Sequence, residues 1–174
     1  VGILGVGNFT QRTLLPELMN LDQPPSLEVL VSAQGASTLF SAQKFNARHI
    51  STDPESVFKN SKIKAVFIST RHHLHASQAL KALSAGQSVW VEKPLALSES
   101  DMDLIEAAAH QSSAILMIGF NRRFAPLAQH ARKIIAAQRG PKTITININA
   151  GVLPSDHWTL SPNEGGGRIV GEAC

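Results

Sequence analysis

The chain of 174 residues contains a single cysteine, Cys174, no tyrosine and only 5% aromatic residues. One cysteine excludes a disulfide within the chain and is compatible with a reducing compartment. No stretch approaches the roughly 18 consecutive apolar residues of a membrane span, and no signal peptide is recognisable, so we expect a cytoplasmic protein. The 16 basic residues are scattered and rarely lie beside aromatic ones. That pattern argues against binding of nucleic acid.

The composition is that of a globular protein with a sizeable core. Hydrophobic residues make up 43% of the chain and the formal net charge is +3. The length suffices for one full domain and part of another. The mild positive charge favours attraction of an anionic cofactor.

Apolar runs alternate with amphipathic segments through the first 120 residues. This alternation predicts parallel strands joined by right-handed helical crossovers, an α/β fold with a doubly wound, Rossmann-like sheet. In such a sheet the ligand crevice lies beyond the carboxyl ends of the strands. The predicted strands are 1–4, 27–31, 65–68, 88–91 and 114–118. The predicted helices are 8–20, 36–46, 53–59, 75–85 and 98–111. The caps of the first, third and last of these helices are predicted to be Asn8, Asp53 and Ser98, and the first helix is predicted to bend near Pro16.

The pattern changes after residue 120. A helix is predicted over 122–138 and a half-buried strand over 143–149, where polar and apolar residues alternate. A loop rich in proline, asparagine and glycine follows. We therefore expect a dinucleotide-binding domain over 1–120 and the incomplete start of an α+β domain over 121–174.

The glycine-containing turn after the first strand is the clearest sign of a ligand site. Gly5 would allow a tight turn, and Gly7 would let the backbone approach a pyrophosphate held by the amides of the next helix. The third glycine position of the dinucleotide fingerprint holds Thr10. The residues alone leave two alternatives open, an S-adenosylmethionine site and a strand–helix turn without a ligand.

Further candidates follow the other predicted strands. Ser32 follows the strand predicted over 27–31, residues 69–72 follow 65–68, residues 92–94 follow 88–91, and residues 119–121 follow 114–118. Lys93 could polarise a carbonyl or shuttle a proton if burial and nearby positive charge lower its pKa, with Glu92 orienting it or binding a ribose hydroxyl. The alternative is an ordinary lysine where a strand meets a loop. Pro94 is a candidate for a cis peptide bond.

Three histidines, His72, His73 and His75, are close enough in sequence to suggest a metal site. They span a strand end and a helix start, so their rings are expected to diverge. No cysteine or carboxylate accompanies them as a further ligand. We therefore predict no metal site.

The motifs together resemble those of the Gfo/Idh/MocA oxidoreductases, the family of glucose–fructose oxidoreductase and inositol dehydrogenase. The matching segments occur in the family's order at 2–8, 69–75, 85–95, 119–124 and 165–168, and Glu92-Lys93-Pro94 is the most specific of them. The resemblance implies an NAD(P)-dependent dehydrogenase acting on a sugar, cyclitol or related polyol, possible homo-oligomers, and Lys93 as the catalytic residue. It implies a cofactor site made of Gly5, Gly7, Asn8, Phe9, Ser32, Ser69, Thr70, His72, His75, Glu92, Lys93 and Asn121, with Thr70 and His75 near the ribose.

The segment 153–174, with Asp156-His157-Trp158, is most similar to family members associated with surface-polysaccharide metabolism. Two departures favour a second hypothesis, a non-catalytic NAD(P)-binding or regulatory module. Gly171 stands where the family usually has an aspartate, and the usual histidine would fall one residue after Cys174. We therefore expect a fragment that binds cofactor without turnover.

The choice between NAD and NADP stays open. An acidic residue after the second strand would favour NAD by accepting from the ribose 2′-hydroxyl. The chain instead has Ser32, Gln34 and Ser37 in this region, which suit either cofactor, and no arginine follows to hold a 2′-phosphate.

Overall fold

In the computed structural model, which describes residues 1–173 apart from the side chains of Ser37 and Ala173, six parallel strands form one sheet. The strand order is β3-β2-β1-β4-β5-β6, the doubly wound arrangement predicted from the alternating pattern. The strands are β1 Gly2–Leu4, β2 Val29–Val31, β3 His49–Ser51, β4 Ala65–Ile68, β5 Ser88–Val91 and β6 Leu116–Ile118.

Residues 1–173 form six α-helices, most of which agree with prediction to within a few residues. Helix α4 begins three residues earlier than predicted, at His72, and the short strand β3 was not predicted at all. The helices are α1 Leu15–Met19, α2 Gly35–Lys44, α3 Glu55–Phe58, α4 His72–Ser84, α5 Glu99–Gln111 and α6 Pro126–Ala137.

Apolar side chains are buried on both faces of the sheet. Successive residues of a strand point to opposite faces, so Ile3 and Leu4 enter different clusters. The cluster around Leu4 includes side chains of α3, α4 and α5, and the cluster around Ile3 includes Leu15 of α1 and Ala42 of α2. Burial on both faces explains why β4 and β5 read as continuous apolar runs.

The first helix corrects one prediction. Helical backbone already includes Asn8, and the Gly7 carbonyl accepts the first bond, from Gln11 N at 3.0 Å. Asn8 is therefore an exposed residue of the first turn and not the cap. A π-helical segment, Thr10–Leu14, precedes Pro16, where the helix was expected to be irregular. Proline lacks an N–H and its ring crowds the preceding turn, which accounts for the irregularity.

Two predicted helix starts are confirmed by their hydrogen bonds. The Asp53 carboxylate accepts from the Glu55 amide at 2.9 Å, immediately before α3. The Ser98 hydroxyl accepts from the Asp101 amide at 3.2 Å and caps α5. Both side chains satisfy an amide that the helix leaves without a partner.

Apart from α6, the elements within residues 121–173 are short. Segment 143–149 forms no strand, so that prediction is wrong. A strand needs a neighbour to pair with, and the described part of the chain supplies none here, which leaves Ile146 78% exposed. The short elements are two 3₁₀ turns, Asn121–Phe124 and Trp158–Leu160, and a π-helical turn, Ile169–Ala173. No helix within residues 1–173 combines the length and apolar character needed to cross a membrane.

Candidate active site

The carboxyl ends of the six strands bring the glycine turn and Lys93 to one edge of the sheet. All strand pairs are parallel, and only β4 separates β1, which leads to Gly5, from β5, which leads to Lys93. The loops after β1, β4 and β5 are consecutive in space and form the candidate site.

The two glycines of the first turn have different structural roles. Gly5 has φ +91°, and a Cβ there would lie 2.5 Å from the Ser69 carbonyl oxygen. The close approach of β1 and β4 therefore requires glycine at this position. A Cβ on Gly7 would have no heavy atom within 4 Å. The fold does not require Gly7 to be glycine, and its bare backbone leaves open space where the first helix starts.

Thr10 occupies the third glycine position of the dinucleotide fingerprint, and its hydrogen bonds connect the glycine turn to the loop after β4. Its side chain is fully buried, and its hydroxyl donates to the Gly5 carbonyl at 2.7 Å and lies 2.6 Å from Ser69 Oγ. Ser69 Oγ also lies 2.8 Å from the Gly5 carbonyl oxygen. Sequence reasoning treated Thr10 only as a missing glycine. The one signal was its position, three residues after Gly7.

Glu92 and Lys93 follow β5 at the same edge. One Glu92 carboxylate oxygen accepts from the Lys93 amide at 3.1 Å, and the other, Oε1, is buried without a hydrogen-bond partner among the described residues. Burial raises the pKa of Glu92 above its usual value. The Lys93 ammonium donates to the Gly171 carbonyl, and the Lys93–Pro94 peptide bond is cis.

His75 lies in the protein interior, beside the loops that follow β4 and β5. Its side chain is fully buried, with Nδ1 2.7 Å from the Pro94 carbonyl oxygen and Nε2 3.0 Å from the Thr70 carbonyl oxygen. Both ring nitrogens face backbone, so neither is available to a ribose hydroxyl. The Thr70 hydroxyl donates to Gln78 Oε1 at 2.8 Å, within the same packed region.

Segment 157–173 folds back onto the start of α4, a contact that sequence reasoning missed. His72 Nδ1 donates to the Gly165 carbonyl at 2.7 Å, and its ring meets Trp158 edge-on with centroids 4.8 Å apart. Arg71 forms an ion pair with Glu164 and lies 5.8 Å from the Trp158 ring. Burial is the main cause that lowers the pKa of His72, and the nearby Lys93 charge adds to it.

Gly165 belongs to a packed turn. It is buried, and a Cβ there would lie 2.3 Å from Thr159 Cα. Its amide donates to the Ser161 carbonyl at 2.9 Å. The segment therefore approaches the strand ends as an ordered strap that brings Gly171 onto Lys93.

The remaining predicted residues lie around this centre. Phe9 stacks with Trp90 of β5 at 6.3 Å between ring centroids, and Asn8 is exposed beside it in the chain. Ser32 follows β2, and its amide donates to the Ser51 carbonyl at 3.2 Å. Asn121 is exposed at the start of the 3₁₀ turn after β6. The part of the expectation that concerns Ser37 lies outside the described residues.

No group of three or more histidine, cysteine, aspartate or glutamate side chains within residues 1–173 is arranged to hold a metal ion. The His72 and His75 rings are 5.7 Å apart, but each directs Nδ1 to a backbone carbonyl.

Folding stability is expected to fall as the pH is lowered through about 6.5. The pKa values of His72 and His75 are lowered in the fold. As the pH falls, these histidines therefore bind protons in the unfolded chain before they do so in the folded one, and this difference lowers the free energy of unfolding. Glu92, whose pKa is raised, has the opposite effect as the pH falls towards its usual range. The measurement is the free energy of unfolding in urea between about pH 7.5 and pH 6.

The matched variants for this experiment are His72→Gln and His73→Gln. The first removes a half-buried imidazole and is expected to flatten the pH dependence. The second replaces an exposed histidine in the same turn of α4 and serves as the control substitution. Identical slopes in the wild type and His72→Gln would contradict the assignment to His72.

Two structural observations are consistent with a dinucleotide in this site. Gly7 leaves open space at the start of the first helix, where amides and the helix dipole favour an anion such as a pyrophosphate. Glu92 Oε1 is a buried acceptor without a donor in residues 1–173, as expected beside a ligand hydroxyl.

Comparisons with known proteins agree with this geometry. Residues 1–120 match the Gfo/Idh/MocA oxidoreductase family, described as having an NAD-binding Rossmann fold. The chain is 30% identical over 139 residues to 4-carboxy-2-hydroxymuconate-6-semialdehyde dehydrogenase of Sphingobium sp., covering 79% of this chain and 44% of that protein. It is 25% identical over 169 residues to inositol 2-dehydrogenase 2 of Saccharopolyspora erythraea, covering 89% of this chain and 47% of that protein.

A solved structure of levoglucosan dehydrogenase in complex with NADH and levoglucosan superimposes with a TM-score of 0.68 at 27% identity, covering 78% of this chain and 38% of that one. The chain thus spans less than half the length of each of these relatives.

Proposed function

Because the chain belongs to the Gfo/Idh/MocA oxidoreductase family, we propose that it binds NAD(H) or NADP(H) and serves hydride transfer in the whole protein. The substrate is a sugar, a cyclitol or a related polyol, and the hydride passes between its carbinol carbon and the nicotinamide. The relatives named for inositol and levoglucosan support this substrate class.

One observation carries the proposal: the open backbone at Gly7 and the ammonium of Lys93 lie at the same edge of the sheet. A dinucleotide laid along that edge, with its pyrophosphate at the first helix, directs its nicotinamide towards the later strands. A lysine there can hydrogen-bond the reacting oxygen. Electrostatic stabilisation of this kind is effective because the group is already in place.

The residues would divide the work as follows. The amides after Gly7 hold the pyrophosphate, Ser32 lies on the adenosine side, and Glu92 accepts from a hydroxyl through Oε1. The nicotinamide supplies the hydride acceptor or donor. Lys93 would hydrogen-bond the substrate oxygen and take up the hydroxyl proton as the hydride passes to the nicotinamide, and it would return that proton to the carbonyl oxygen in the reverse direction.

The finer parts of the proposal rest on the sequence. Segment 153–174, with Asp156-His157-Trp158, supports a role in surface-polysaccharide metabolism. We also propose a cytoplasmic location and a division at residue 120, where the match to the family ends.

A second candidate function is cofactor binding without turnover by these 174 residues. It is favoured by Gly171, which offers no carboxylate and whose carbonyl accepts from the Lys93 ammonium. Under this hypothesis the chain binds NAD(P)H, but no polyol is oxidised even by the whole protein. Turnover of any polyol by the whole protein would exclude it.

The direct test is a titration of the chain with NADH, NADPH and S-adenosylmethionine, followed by nicotinamide fluorescence and by calorimetry. We expect at least one reduced nicotinamide cofactor to bind with a Kd in the micromolar range or tighter, and S-adenosylmethionine to give no heat. Binding of S-adenosylmethionine alone would overturn the proposal in favour of a methyltransferase site. A panel of polyols and aldoses with the whole protein then separates the two candidate functions.

A further inference from the structure

His75 joins the loops that follow two neighbouring strands. It belongs to the first turn of α4, is fully buried, and places its ring between the Pro94 and Thr70 carbonyl oxygens. Thr70 follows β4 and Pro94 follows β5. One imidazole therefore spans the two loops nearest to the centre of the candidate site.

The ring has one proton for two acceptors. Carbonyl oxygens only accept, and a neutral imidazole donates from one nitrogen. Burial lowers the pKa of His75 and favours the neutral ring. The Nδ1 contact to Pro94 is 2.7 Å and the Nε2 contact to Thr70 is 3.0 Å. The shorter contact assigns the proton to Nδ1, so the stronger bond is the one to Pro94.

This bond completes the anchoring of Lys93. On the amino side, the Glu92 amide donates to the Ile68 carbonyl at 2.8 Å and ends the ladder between β4 and β5. On the carboxyl side, the Pro94 carbonyl accepts from His75 at 2.7 Å. Lys93 thus lies between two backbone anchors, the second of which depends on the His75 side chain, and its own amide also donates to the Glu92 carboxylate at 3.1 Å.

We propose that His75 is a positioning residue for Lys93. Its Nδ1–H donates a hydrogen bond to the Pro94 carbonyl, and this bond fixes the position of the Lys93 ammonium at the carboxyl ends of the strands. The proposal rests on the proposed function for the role of Lys93, but the bridge itself can be tested separately. This role acts through the protein backbone and requires no contact between His75 and the cofactor ribose.

Two substitutions distinguish the hydrogen bond from His75 to Pro94 from the mere packing of the His75 ring. In His75→Asn, the amide nitrogen occupies the place of Nδ1 and can still donate to Pro94. In His75→Gln, it occupies the place of Nε2 and can donate only towards Thr70. Matched controls are His73→Asn and His73→Gln, because His73 is an exposed neighbour on the same helix whose amide, and not its ring, contacts Glu164 O.

In the whole protein, we expect His75→Gln to lower kcat by about 100-fold, the cost of a small misplacement of a reacting group. The Kd for NADH should stay close to the wild-type value. His75→Asn should recover most of kcat, and the two controls should match the wild type. Equal losses in the Asn and Gln variants would overturn the proposal, because they would show that only the size of the ring matters.

Two spectroscopic measurements on the 174-residue chain do not depend on turnover. In the wild type, nitrogen-15 NMR should find the His75 proton on Nδ1 near neutral pH, and a proton on Nε2 alone would overturn the proposal without any variant. Carbon-13 NMR of the Lys93 side chain should show a displaced signal in His75→Gln and a wild-type signal in His75→Asn. If Lys93→Met keeps full turnover, the proposed function fails, while the Lys93 signal still decides whether His75 positions that side chain.

Discussion

Replacement of Lys93 by methionine is expected to lower kcat of the whole protein by about 10²- to 10⁴-fold, the range for loss of a positioned acid–base group. Methionine retains the unbranched apolar stem and removes the ammonium. The fold should be retained, because Lys93 is only partly buried and its ammonium contacts one backbone carbonyl. The affinity for NADH should change little, since the proposed pyrophosphate site lies at Gly7 and not at Lys93.

The matched control is Lys64→Met, the same substitution at the exposed residue that precedes β4, at the amino end of the sheet. Steady-state kinetics and NADH titration are measured for both variants, with thermal unfolding to verify folding. Normal kcat in Lys93→Met would remove Lys93 from the mechanism. An equal loss in Lys64→Met would show that the effect is a general one of charge.

The second large effect is expected at the glycine turn, where two alanine substitutions should have opposite consequences. Gly5→Ala places a Cβ 2.5 Å from the Ser69 carbonyl oxygen in a backbone conformation with φ +91°. The added contact and the backbone strain together should cost about 2–6 kcal/mol of folding stability. Because Ser69 and Thr10 are bonded to the same turn, the surroundings have little freedom to relax.

Gly7→Ala should leave the free energy of unfolding nearly unchanged, because its Cβ would have no heavy atom within 4 Å. A methyl group between the helix amides and a pyrophosphate should instead weaken binding by about 1–3 kcal/mol, which is about 5- to 150-fold in the Kd for NADH. Urea unfolding and NADH titration of both variants measure the two quantities. A stable Gly5→Ala would contradict the packing argument, and wild-type affinity in Gly7→Ala would place the pyrophosphate elsewhere.

The elements that were predicted well are those with strong local patterns. Strands β4 and β5 are continuous apolar runs. The capping side chain of α3 lies two residues before the amide it binds, and that of α5 lies three residues before. Strand β3 was missed because it is a short edge strand whose Ile50 is 43% exposed. The alternation in segment 143–149 predicts a strand, but alternation describes a side-chain pattern and does not supply a pairing partner.

The candidate site divides in the same way. Gly5, Gly7 and Lys93 were recognisable because their chemistry depends on residue type and on position after a strand. Three other features could not be recognised from the sequence. They are the hydrogen bonds of Thr10 to Gly5 and Ser69, the strap from Trp158 to Gly171 over His72, and the contacts of His75 with Pro94 and Thr70. Each depends on which side chain meets which backbone group across 5 to 93 residues of chain.

For this protein, local order in the sequence was enough to establish a doubly wound parallel sheet and the strand ends at which chemistry should occur, because hydrophobic periodicity and turn residues act over a few positions. Folding decided the rest. Gly5 became obligatory and Gly7 optional for stability, and His75 became a buried link to Pro94, because these roles arise only when distant loops pack within hydrogen-bonding distance.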